Sequence, residues 1–193
     1  MSIEDAGSKW ADEILLANAQ FRAQVDPNKL QVERPAGARA VVTCMDPRVN
    51  LQAIGVQPFD GSGAMTSPVR VIRTLGGVAD ERSLAVAIHL AGIREIAVLT
   101  HTDCGAMAAW TRVDAVAESL EARLSPGALN ELRSRLCDLN AKTLRKWLMA
   151  FEDPARAALR EVERVRQLSV VPRDVEVIGL VLDLEDGSVR VVS

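Results

Sequence analysis

The chain has 193 residues, 48% of them hydrophobic and 25% charged, with a formal net charge of −3. That is enough chain for one well-cored soluble domain, and its mild acidity gives no electrostatic footprint for nucleic acid or an anionic membrane surface. No apolar run is long enough to span a bilayer, and with 3% aromatic residues and no Tyr the core must be aliphatic.

The segment Met1-Ser2-Ile3-Glu4-Asp5 lacks the basic and apolar regions of a secretory signal. The three cysteines are Cys44, Cys104 and Cys137. An odd count without a signal argues against a disulfide framework and for a reducing compartment. The expected location is cytoplasmic. Residues 3–25 read as a helix, with Ile14, Leu15, Ala17, Asn18 and Phe21 at helical spacing and Asp26-Pro27-Asn28 as its stop. Trp10, Ile14 and Phe21 make an apolar stripe that must dock on this domain or on a partner subunit.

Residues 38–43 form the first expected strand, apolar throughout, as suits a strand buried on both faces of a parallel sheet. A short helix is expected at 50–54 and a loop at Gly61-Ser62-Gly63. Residues 69–73 are a second strand. Gly76-Gly77 follows it, then a helix over about 80–91 with Leu84, Ala87, Ile88 and Ala91 on one face. Residues 95–100 are a third strand. These strand–helix–strand units predict a mainly parallel sheet. Residues 105–168 read as helical, divided by Pro126-Gly127 and Asp153-Pro154 into about three helices. Residues 175–182 are a fourth strand. Glu185-Asp186-Gly187-Ser188 is a hairpin turn, and 189–192 returns as an antiparallel fifth strand. The expectation is one α/β domain over 1–193. It is a three-layer fold with a central, mostly parallel sheet of about five strands, the last antiparallel, and helices on both faces. Residues 1–27 would form an N-terminal helical arm.

Two strand ends carry the chemistry. Val41-Val42-Thr43-Cys44 runs into Cys-x-Asp-x-Arg, and Val98-Leu99-Thr100-His101 runs into His-x-x-Cys. Taken singly, Cys44 and Cys104 read as buried core thiols, which are common. Taken together, two thiolates and an imidazole past neighbouring buried strands make a set suited to zinc. Three protein ligands leave a fourth position open, and water there would have its pKa lowered toward neutrality. Asp46 and Arg48 alternate on an extended chain and can form a bidentate pair that keeps the carboxylate ionised. Asp46 would then orient the attacking hydroxide, or itself take the fourth metal position. Asp103 reads first as a helix N-cap and second as an acceptor behind the metal ligands. Gly76 and Gly77 either present amides to a substrate oxygen or simply turn the chain. His89 reads as a solvated surface residue, Cys137 as core, and Trp110, Trp147 and Phe151 as packing residues.

Cys44-x-Asp46-x-Arg48 with His101-x-x-Cys104-Gly105 resembles the β-class carbonic anhydrases, in the compact bacterial and archaeal branch. The resemblance covers about 38–107 and resumes over 177–183 and the hairpin after it. It implies reversible hydration of carbon dioxide to bicarbonate and a proton. It also implies zinc held by Cys44, His101 and Cys104, with Asp46 and Arg48 as the catalytic dyad. It further implies a homodimer or larger homo-oligomer, in which the N-terminal helix embraces the partner. Where the family commonly has Arg-Asn-Ala-Gly, this chain has Arg73-Thr74-Leu75-Gly76-Gly77. Related zinc hydrolases of carbonyl sulfide or carbon disulfide share the scaffold. Those hydrolases, and a non-catalytic zinc-stabilised binding domain, are the alternative readings.

Overall fold

The computed structural model describes residues 9–30, 37–57, 59 and 67–192. The chain gathers into two compact units. One is drawn from Met1–Pro35 and Gln57–Pro68, the other from Ala36–Val56 and Val69–Ser193.

The second unit is built on five strands: β1 (Arg39–Cys44), β2 (Arg70–Thr74), β3 (Glu95–His101), β4 (Glu176–Leu182) and β5 (Val189–Val192). Their order is β2-β1-β3-β4-β5. All pairs are parallel except β4 with β5. Each expected strand is therefore present, with ends shifted by at most one residue. β1 and β3 lie inside the sheet, and almost every residue in them is buried, which is why they read as unbroken apolar runs rather than alternating ones.

Alternate side chains divide into two cores. Ala40, Val42, Ile96, Val98 and Val177 pack with Leu84, Ile88, Val162 and Val165. Val41, Leu99, Leu180 and Leu182 pack with Ala106, Phe151 and Ala157 on the opposite face, and Cys44 and Cys104 belong to that second core. The first core's helical partners lie on α2 (Glu81–His89) and α7 (Pro154–Gln167). Asp80 caps α2 through the Ser83 amide, and Asp153 caps α7 through the amides of Ala155 and Arg156.

Between β3 and α7 lie four helices: α3 (Gly105–Thr111), α4 (Val113–Arg123), α5 (Pro126–Leu136) and α6 (Ala141–Trp147). With α7 this makes five helices where about three were expected. The extra breaks have local causes that lack a Pro-Gly or Asp-Pro signal. Arg112 leaves helical geometry at φ −114°, ψ 30°. Cys137 turns left-handed at φ 64°, and Asn140 starts α6 by accepting the Thr143 amide. The same turn corrects the expectation that Cys137 is core: as the last cap of α5 it is exposed. Trp147 is also exposed, whereas Phe151 is buried. His89 is on the surface as expected, with its Nε2 2.9 Å from the Val170 carbonyl.

Glu161 is the one buried carboxylate among the described residues. It accepts the Ala79 amide at 2.7 Å and the Arg164 guanidinium at 2.7 and 2.8 Å, while Arg164 also donates to the Ala79 carbonyl. This clasp ties α7 to the start of α2. Glu161→Ala leaves a buried amide and a guanidinium without their acceptor. It is expected to cost about 2–4 kcal/mol, read as a lower urea midpoint at unchanged slope.

In the first unit, α1 (Lys9–Gln24) is followed by a 3₁₀ turn at Pro27–Lys29, capped by Asp26. The expected start of this helix, residues 3–8, and the expected loop at 61–63 lie outside the described residues. Trp10, Ile14, Leu15, Leu16 and Phe21 on α1 are all exposed, Trp10 at 70%. No helix among the described residues is long and apolar enough to cross a membrane.

Candidate metal centre

Parallel pairing sets Thr43 of β1 beside Leu99 of β3, so both strands end at the same edge of the sheet. Cys44 closes β1, His101 closes β3, and Cys104 is the N-cap of α3 three residues later. The two sulfurs are 3.7 Å apart. One ligand atom from each of the three residues lies within 4.8 Å of the others, and all three residues are buried.

The imidazole is already oriented. Its Nδ1 lies 2.8 Å from the Thr102 carbonyl, an acceptor, so Nδ1 carries the proton. That leaves Nε2 with a bare lone pair. Among the described residues, it is the only buried side-chain nitrogen or oxygen without a hydrogen-bond partner. Buried polar atoms are rarely left so. Two thiols and an unpaired imidazole nitrogen converging on one point fit a borderline-soft divalent ion.

Of the two sulfurs, Cys44 is the one poised to carry negative charge. The Cys44 thiol is pulled below its ordinary range first by the Cys104 side-chain hydrogen bond, and then by the amides of Asp46 and Gly76. Cys104, left as the donor of that pair and buried, is pushed up. Its own sulfur faces the amides of Ala106, at 3.4 Å, and Met107. Backbone N–H groups thus converge on both sulfurs.

Arg48 organises the groups beside the ligands. Its Nε and Nη2 meet the two carboxylate oxygens of Asp46 at 3.0 and 2.7 Å, and its own amide adds a bond of 3.0 Å to Oδ1. The Arg48 side-chain hydrogen bonds hold the Asp46 carboxyl down at about 2. Both Asp46 oxygens are engaged there, and the carboxylate is not part of the ligand cluster. Arg48 reaches further, with Nη1 2.7 Å from Asp103 Oδ2 and Nη2 2.8 Å from the Asp103 carbonyl. The N-cap expectation for Asp103 is corrected by this contact. Asp103 adopts φ 50°, outside the helix, and the Cys104 sulfur does the capping.

Arg73 lies in the segment after β2's apolar run and supports the site. It donates to the carbonyls of Cys44, at 3.0 Å, and Val49, at 3.0 Å, fixing the turn that carries Asp46 and Arg48. Its place one residue before the end of an edge strand is the signal that points to it. Gly76 has φ 64°, and a Cβ there would sit 3.1 Å from Phe151 and 3.2 Å from Ala106. Gly77 has φ 76° and passes 3.3 Å from the Leu99 carbonyl by the same measure. Gly76→Ala therefore combines left-handed strain with a tight contact. It is expected to destabilise by about 1–3 kcal/mol and to weaken metal retention, because the amide facing Cys44 must move. A chelator-competition titration reads the second effect.

Fold and site together define an α/β protein with three possible metal ligands gathered at one edge of its sheet. The carbonic anhydrase family model matches residues 39–189, and the chain belongs to the β-carbonic anhydrase family of enzymes. The chain is 30% identical over 161 residues to a carbon disulfide hydrolase of an Acidianus species, covering 78% of this chain and 74% of that one. A putative carbonic anhydrase of Bacillus subtilis is 28% identical over 161 residues, covering 82% and 78%. Among solved structures, β-carbonic anhydrase isoform I of Trichomonas vaginalis superposes with a TM-score of 0.72 at 26% identity, covering 96% of this chain and 98% of that one.

Proposed function

We propose that the chain is a zinc-dependent carbonic anhydrase that hydrates carbon dioxide to bicarbonate and a proton. The observation that carries this is the unpaired His101 Nε2 meeting the Cys44 and Cys104 sulfurs beside an ionised Asp46. Bound by these three residues, zinc supplies a Lewis acid that makes a water nucleophilic near neutral pH. The chain's own groups do the rest. Thr102 holds the imidazole, and amides hold the sulfurs. Asp46, fixed by Arg48, is an acceptor that orients the nucleophile's hydrogen away from its attacking lone pair. The apolar core of Val49, Leu99, Ala106 and Phe151, packed with Cys44 and Cys104, lowers the local dielectric and suits an uncharged, linear substrate. Gly76 and Gly77 line the turn next to the ligands and serve this site by close backbone approach.

A second reading, hydrolysis of carbon disulfide or carbonyl sulfide on the same centre, is favoured by one local feature. Leu75 is partly buried against this core, where the family commonly places a smaller alanine. A reducing, cytoplasmic setting suits thiol ligands. The exposed apolar residues of α1 suit a homodimer or larger homo-oligomer.

The test is one preparation of known zinc content assayed on carbon dioxide, carbonyl sulfide and carbon disulfide. Fast carbon dioxide hydration supports the first reading. Sulfide release without hydration replaces it with the second. Full zinc without turnover of any of the three leaves a zinc-stabilised binding domain.

A further inference from the structure

Away from the Cys44–His101–Cys104 cluster, α3, α6 and α7 flank an open surface depression of about 440 Å³, lined by Trp110, Lys142, Arg145, Lys146, Met149 and Arg160. The volume is that of a small-ligand site. The charge is unusual for this chain. The protein as a whole is acidic, at −3, yet the lining of the depression carries four cations and no carboxylate. Ion pairs elsewhere on the surface hold their arginines against acids. Among the described residues, Lys142, Lys146 and Arg160 make no such pair.

The cations are arranged, not scattered. Lys142, Arg145, Lys146 and Met149 follow the i, i+3, i+4, i+7 stripe of α6 and its final turn. Met149 ends that turn at φ 51°. Arg145 is pre-ordered: its Nε donates to the Trp110 carbonyl at 2.9 Å, and its guanidinium lies 4.9 Å from the centre of the Trp110 ring. Its terminal nitrogens remain to meet a ligand.

Helix electrostatics explain only part of the set. Arg145 and Lys146 complement the carbonyl end of α6. Lys142 lies in the first turn of the same helix, where a cation opposes the helix dipole. Arg160 comes from α7 and has no bearing on α6. Four like charges around one depression repel each other, and a bound anion relieves that repulsion.

We propose that this depression binds a small oligophosphate, a compact ligand with two or more linked phosphate groups. A single monovalent anion such as bicarbonate neutralises only one of the four cations, whereas linked phosphates carry several charges. A long nucleic acid needs a continuous basic track, which four cations grouped at one depression of an acidic protein do not offer. Arginine supplies forked donors and lysine point charges, both matched to phosphate oxygens.

The test is calorimetric titration of the zinc-loaded full chain with inorganic tripolyphosphate at fixed ionic strength. One saturable site per chain is expected, with orthophosphate at least about tenfold weaker. The double variant Lys142→Glu/Arg160→Glu is expected to weaken tripolyphosphate binding by at least about tenfold while leaving the circular dichroism spectrum and zinc content unchanged. Equal binding by the double variant overturns the proposal, and that is also the result if tripolyphosphate merely chelates the metal. Non-saturating heats, or tighter binding of a short single-stranded oligonucleotide, overturn it too.

Discussion

Cys104→Ser is expected to purify with less than about one-tenth of the zinc bound by the parent chain, and to lose activity by more than about 10³-fold. Serine keeps the shape but not the ligand: its oxygen is hard, and its proton does not leave near neutral pH. The loss reaches beyond one bond. The Cys104 sulfur faces the Ala106 and Met107 amides and caps α3, so the helix start loosens as well. Elemental analysis per chain, on the sample used for the assay, checks both halves. Cys137→Ser is the matched control, since Cys137 is exposed and lies outside the ligand cluster. It should keep full zinc and full activity. Stoichiometric zinc in Cys104→Ser would mean that another group completes the ligand set.

Asp46→Ala separates binding from chemistry. The carboxylate lies outside the ligand cluster, so zinc content is expected to hold. The turnover number is expected to fall by about 10²–10⁴-fold, the range for losing a positioned acceptor at a reacting group. Full turnover would remove Asp46 from the reaction. Arg48→Ala should reproduce most of this loss, because it releases Asp46 and Asp103 together. Arg48→Lys should restore little, since an ammonium cannot make the two-point contact. The pair also carries a pH signature. Arg48 depresses the Asp46 carboxyl to about 2 in the folded chain. A depressed folded pKa gives stability that is fully present above the unfolded value, about 4, and is lost as pH falls toward 2. The stability difference between the parent chain and Arg48→Ala should therefore shrink across that window. Urea unfolding at stepped pH measures it.

The residues differ in how openly they advertise their place. β1 and β3 were legible because burial on both faces leaves a run of valine, leucine and isoleucine that ends sharply at polar chemistry. The hairpin was legible because Gly187 follows two acids between β-branched runs. The convergence of Cys44, His101 and Cys104 was legible jointly, since strand ends in a parallel sheet converge. The helical region resisted. Arg112 breaks helical geometry without proline or glycine, and Cys137 takes a left-handed turn that its neighbours Leu136 and Leu139 disguise as core. Asp103 was misread for a similar reason. Its role depends on Arg48, 55 residues away, and no local pattern encodes that distance. Arg73 was hidden likewise, because its acceptors are carbonyls, which every residue has.

The strand order also sets a sequence of events during synthesis. β1 and β2 can pair as soon as both have left the ribosome, and β3 joins β1 on its other side. Once the chain has passed Cys104, all three candidate metal ligands are present. The far side of β3 must still wait for β4, which is separated from it in the chain by α3 to α7. Until Glu176–Leu182 emerges, an apolar strand that ends up interior is an open edge. Nascent chains stalled before β4 are thus the form most exposed to aggregation and to chaperone capture. Chains that extend through β5 have closed that edge with a four-residue strand interrupted by Arg190, a poor template for further pairing.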